Sequence, residues 1–174
     1  MVNNTDIVRM HIDNFTLYIG NYSCYYSFVF YVRKKIPGKT GYNMIKMKKV
    51  GVLNPLVRQV LGIKIRLTDI YCSKGLQAHM MKSNHFKEVK YIDRIPEIIK
   101  TPDYVGKTGN DDDCSIEYVK CYDDNIRLIV KMDIKKKMLY VATMFELPSK
   151  KLERFVHSGR LVALDDTQNT RYNK

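Results

Sequence analysis

Across residues 103–145 apolar and polar positions alternate with a period of two, the pattern of strands that bury one face. The runs DYVGKTGNDDDCSIEYVKCY, IRLIVKMD and MLYVATMF carry it. Asp, Asn and Gly between them tolerate tight-turn dihedrals, so the segment predicts two consecutive hairpins and three strands that follow one another directly. A two-residue loop at Asp124 and Asn125 places Val119 and Cys121 on one side with Leu128, Val130 and Met132, an apolar set suited to the core. The opposite side then carries Tyr118, Lys120, Tyr122, Arg127, Ile129 and Lys131, basic and aromatic together, a combination that attracts phosphate and stacks bases. A solvated sheet face reads the same way, and a slip of one residue in the turn exchanges the two faces. A four-residue turn at 134–137 pairs Met132 with Leu139 and sets Thr143 among the core-facing residues, opposite Lys120.

Upstream the period lengthens. Val89, Ile92, Ile95 and Ile99 hold helical spacing and form one apolar stripe, which core packing explains. Asn54 before Pro55 reads as an N-cap with proline in the first helical position, and Gly62 ends that helix after Leu61. Residues 63–71 alternate as a short strand, and Ser73 caps a helix over 74–83. After the sheet, Ser149 caps a helix through Val156 that Gly159 terminates. The pattern predicts an α+β fold: N-terminal helices packed on one face of an antiparallel sheet, then a short C-terminal helix.

Residues 15–32 contain no charge, and Arg33, Lys34 and Lys35 follow. The length suits a membrane span, but five tyrosines with Thr16, Asn21, Ser23 and Ser27 make the run too polar for easy insertion, and a hairpin about Gly20 and Asn21 fits better. Pro, Gly and charge concentrate in KKIPGKTGY, which reads as a linker; its GKT lacks the earlier glycine of a phosphate-binding loop. The chain thus divides into an aromatic-rich accessory segment, 1–45, a main domain, 46–164, and a polar tail, 165–174.

Thirty Lys and Arg against eighteen Asp and Glu give a net charge of +12 and a pI near 9.5, which favours nucleic acid or an anionic surface as partner. The four cysteines, Cys24, Cys72, Cys114 and Cys121, lie at no metal or redox spacing and read as free thiols. His79 and His85 are six residues apart, and a helix would set them on different faces. No carboxylate or cysteine accompanies them at ligand spacing, and Asp111 to Asp113 lack the spacing of a calcium loop, so no metal and no cofactor is expected.

The ordered set DIYCSKGLQAHMMKSNH, YIDRIPEIIKTPDYVG, SIEYVKCYDDN, LYVATMFEL and HSGR resembles the phage-associated barnase, EndoU, colicin and RelE-like nucleases, in their third subfamily, over residues 50–161. The resemblance implies helices on one side of a four-stranded antiparallel sheet and a metal-independent, toxin-like endoribonuclease. Such an enzyme uses the substrate's 2′-hydroxyl to attack the adjacent phosphate. Transfer RNA is a frequent substrate in the family. Action in the cytoplasm, delivery by phage or secretion and an immunity protein as partner are further implications. His79 matches the first histidine of the family's helix region and stands as general base, with His85 as the acid. Lys120 and Thr143, then Ser115 and Arg160, are the candidates for stabilising charge on the phosphate. Tyr104 is a candidate for stacking a base and Lys107 for a phosphate contact, beside Tyr118, Arg127 and Lys131 of the open face.

Overall fold

The computed structural model describes residues 7–12, 15–20, 29–35, 42–109, 114–133 and 138–164, with side chains from Lys46 onward. Its strands are β1 (Ile7–Ile12), β2 (Phe15–Gly20), β3 (Val29–Lys35), β4 (Tyr42–Val52), β5 (Asp69–Ser73), β6 (Tyr104–Thr108), β7 (Ser115–Cys121), β8 (Asn125–Asp133), β9 (Met138–Glu146) and β10 (Leu161–Ala163). Helices are α1 (Pro55–Val60), α2 (Leu76–Lys82), α3 (Ile95–Lys100), preceded by a 3-10 stretch over Lys87–Arg94, and α4 (Ser149–His157). The strands form one sheet in the order β1-β2-β3-β4-β5-β9-β8-β7-β6-β10.

The fold class is α+β as expected, but the sheet is larger than the four strands expected for it. Seven strands, β4 to β10, lie from Tyr42 onward, and β1 to β3 extend the sheet at its β4 edge. Residues 103–145, expected to hold three strands, hold four, β6 to β9. Strand β4 escapes a period-two reading because its register shifts between Lys49 and Gly51, and β10 is only three residues long. Of the strand expected over 63–71 only the end pairs, and β5 runs parallel to β9. The expected boundary at 45/46 falls inside β4. In the accessory segment β2 and β3 pair antiparallel, but Ile19 lies opposite Phe30, so the strands are not joined by the tight turn expected at Gly20 and Asn21. Among the described residues no helix is long and apolar enough to cross a membrane.

Local signals account for the helix starts. Asn54 Oδ1 accepts from Leu56 N–H at 2.8 Å and Pro55 opens α1, while Gly62 leaves it with φ of 60°. Ser73, expected to cap α2, accepts through Oγ from Gly75 N–H at 2.9 Å, and the cap position is instead Gly75, which has no side-chain cap bond. For α4 the cap position is Pro148, not Ser149, whose hydroxyl instead accepts from Asn125 Nδ2. The main core lies between one face of the sheet and the helices. Ile116, Tyr118, Ile126, Leu128 and Val130 meet Leu53, Val57, Met80, Ile95, Ile98 and Ile99, all at most 1% exposed.

The register corrects the expected faces. Strands β7 and β8 are joined by three residues, Tyr122 to Asp124, and Cys121 pairs with Asn125, so Tyr118 lies opposite Leu128 and Lys120 opposite Ile126. Tyr118 therefore belongs to the core, fully buried, with its phenol pushed well above its usual pKa by that burial. Lys120 shares that side and donates to Asp103 Oδ1 at 2.9 Å. Lys107 lies opposite Ile116 on the same side of β6. The turn after β8 pairs Met132 with Leu139 as expected, yet a register shift between Ile129 and Val130 sets Thr143 opposite Ile129, on the open side. Lys120 and Thr143 thus sit on opposite faces, each on the one expected for the other.

Gly106 on β6 pairs with Leu161 at the start of β10. A Cβ there would lie 2.6 Å from the backbone oxygen of Arg160 and 2.9 Å from Leu161 Cδ2. Gly106→Ala is therefore expected to cost about 1–3 kcal/mol, as overpacking does, and to displace Arg160. Urea unfolding measures the first effect; the second should appear as lost activity in the folded fraction.

Candidate active site

Register alone lays out the open face as three rows across the strands. The first runs Lys49, Tyr71, Tyr140, Lys131, Ser115, Thr108. The second runs Thr143, Ile129, Glu117, Gly106, Leu161, and the third Phe145, Arg127, Val119, Tyr104, Ala163. Helix α4 lies over the third row, burying Leu152 and Phe155 against Val119, Leu147 and Leu161. The first row stays accessible, with Lys49 and Lys131 exposed. Lys49 pairs with Asp69 at 2.8 Å, and burial followed by the Asp69 charge pushes the Tyr71 phenol up to about 12.

Beneath the edge of α4 the face holds a charged centre. Glu117 Oε1 forms an ion pair with Arg127 at 2.6 Å and accepts a hydrogen bond from Arg160 at 2.9 Å, and the Glu117 side chain is 1% exposed. Arg127 reaches it from the neighbouring strand, whereas Arg160 arrives from the chain after α4, beyond Gly159, whose φ of 70° turns the backbone back. Aromatic rings enclose the cations. The Arg127 guanidinium lies 5.2 Å from the Phe145 ring and 5.5 Å from that of Phe155, and the Arg160 guanidinium lies 4.1 Å from Phe155. Two atoms remain orphaned: Glu117 Oε2 and Arg127 Nε are buried and have no hydrogen-bond partner. An acceptor and a donor left unfilled in one ion pair suit a ligand that offers both a hydroxyl and an anionic oxygen.

His85 joins this centre through Phe145, on which its imidazole stacks at 5.2 Å. Asn84, with φ of 59°, closes α2, and His85 N–H returns to the carbonyl of Met80 while Asn84 N–H returns to that of Met81. This helix-ending bond pattern aims His85 away from the helix. His79 remains exposed on α2, and its side chain has no hydrogen bond or ring contact among the described residues.

Of the candidates named from sequence, the open face brings together His85, Thr143, Ser115, Arg160, Tyr104, Arg127 and Lys131. It does not include His79, Lys107, Tyr118 or Lys120. Glu117, Phe145 and Phe155 were missed. A signal for Glu117 existed, an acid amid the apolar alternation of SIEYV, but finding its arginine required the register of the hairpin. Asp111 to Asp113 lie outside the described residues. Among the described residues no three His, Cys, Asp or Glu cluster as metal ligands. Cys72 and Cys121 are free thiols, and burial pushes that of Cys72 up to about 11 and also raises that of Cys121, which poises neither as a nucleophile.

The family model described as phage-Barnase-EndoU-ColicinE5/D-RelE like nuclease3 matches residues 47–154. The chain belongs to this nuclease family. No curated protein and no solved structure gives a match. The matched span holds His85, Glu117, Arg127 and Phe145 and ends inside α4, so Phe155 and Arg160 lie beyond it. Family membership indicates nuclease activity.

Proposed function

We propose that the protein is a metal-independent endoribonuclease that cuts RNA by attack of the 2′-hydroxyl on the adjacent phosphate. The observation that carries this reading is the orphaned pair, Glu117 Oε2 and Arg127 Nε, within a centre of two guanidiniums. Glu117 Oε2 takes the 2′-hydroxyl proton, the new O2′–P bond forms, and the P–O5′ bond breaks. His85, as imidazolium, gives its proton to the departing O5′. Arg127 and Arg160 stabilise the charge that builds on the nonbridging oxygens. Substrate reaches the centre by displacing Arg160, whose side chain is 38% exposed against 9% for Arg127.

This assignment moves the base from His79 to Glu117 and keeps His85 as the acid. Thr143 and Ser115 line the path across the face, and Lys131 draws phosphate to its rim. The test is to incubate single-stranded RNA with the full chain in EDTA and analyse the ends. Cyclic phosphate or its 3′-phosphate hydrolysis product supports the reading, and 3′-hydroxyl ends overturn it.

The near-complete burial of Glu117 favours one other reading, a basic RNA-binding module on a nuclease fold without catalysis. In it the charged centre is only a staple for α4. Salt-dependent RNA affinity with no product would select it.

A further inference from the structure

The flank of α4 beside β6 bounds a groove of about 870 Å³ that the chemistry above does not use. Tyr104, half-buried in the third row, lines it, and α4 contributes Lys150, Arg154 and His157. Their spacing of four and then three residues makes one stripe along the helix, roughly 10 Å long at 1.5 Å per residue. Glu153 is the single acid among the lining residues. Tyr104 is separated from Arg127 by Val119 alone, two strand spacings or roughly 10 Å across the sheet. An aromatic ring beside a line of cations is how proteins hold single-stranded nucleic acid without reading its sequence, the ring stacking a base and the cations following the backbone.

We propose that this groove is a second subsite for the same RNA strand, in which Tyr104 stacks an unpaired base while Lys150 and Arg154 meet the flanking phosphates. The inference rests on the RNA reading above and narrows its substrate to strands single-stranded beside the cut. A duplex cannot splay a base onto Tyr104.

The test measures binding of a non-cleavable 2′-O-methyl RNA strand to the full chain over a range of salt. Lys150→Gln with Arg154→Gln should weaken binding and flatten the dependence of log affinity on log salt by about 0.7 per lost contact. Tyr104→Leu should weaken it about tenfold, and Tyr104→Phe should restore it, because stacking needs the ring and not the hydroxyl. Lys150 and Arg154 are exposed, so that double variant decides the matter even if Tyr104→Leu does not fold. Wild-type affinity and salt slope in the double variant overturn the subsite and leave the RNA reading standing, with the groove open to an acidic protein instead. Absence of RNA binding by the wild-type chain overturns both.

Discussion

Replacing Glu117 with alanine is expected to lower the free energy of unfolding by about 3–5 kcal/mol, the loss typical when one partner of a buried ion pair is removed. The substitution strands the Arg127 guanidinium, which is 91% buried by side chain, without a counter-charge between two phenylalanine rings. Arg160 can turn its charge to solvent, so it contributes less to the loss. Removing both charges should then do less harm than removing one. Glu117→Leu with Arg127→Leu should recover much of the stability, since two apolar side chains of suitable volume replace a pair that was costly to desolvate. Urea unfolding of the three proteins, with slopes compared, measures this. A loss under about 1 kcal/mol for Glu117→Ala would mean that the pair is hydrated and that the centre is looser than its geometry.

Truncation of His85 to alanine should reduce RNA cleavage by about a hundredfold or more while the protein stays folded. The bonds that end α2 come from the backbone of residues 84 and 85 and survive the change, so what is lost is the imidazole on Phe145. His79→Ala serves as the contrast. It is exposed on α2, before the turn that carries His85, so its removal should alter single-turnover cleavage no more than about threefold. The reverse outcome, with His79 essential and His85 dispensable, would place the chemistry on the outer side of α2 and not on the sheet.

What the chain discloses without its structure follows from how far each signal reaches. The cap at Asn54 and Pro55 and the turn at Gly159 involve residues within a few positions of one another, and they stand where the sequence puts them. Strand existence in β7, β8 and β9 is equally local. Facing is not, because it depends on the number of residues in each turn and on every bulge. One additional turn residue between Cys121 and Asn125 moved Tyr118 and Lys120 into the core side, and one register shift beside Ile129 brought Thr143 out of it. For the same reason the charged centre was only half legible. Arg127 and Arg160 stood out as cations, whereas Glu117 looked like one polar residue among several until the pairing put it beside Arg127. Strand β10 and Gly106 depend on a contact between segments more than fifty residues apart, which no local pattern announces.

The central claim, that the substrate supplies its own nucleophile to a metal-free centre on the open sheet face, is tested most directly with two RNA strands. One is a natural oligonucleotide that the full chain cuts at a mapped position, and the other carries a single 2′-deoxy substitution at that nucleotide. Both are assayed in EDTA. The account predicts that the first is cut, leaving a cyclic phosphate, and that the second binds with similar affinity and stays whole, because neither Glu117 nor His85 then has a hydroxyl to activate. Cutting of the deoxy strand at a comparable rate, or a reaction that EDTA stops and magnesium or zinc restores, would contradict it.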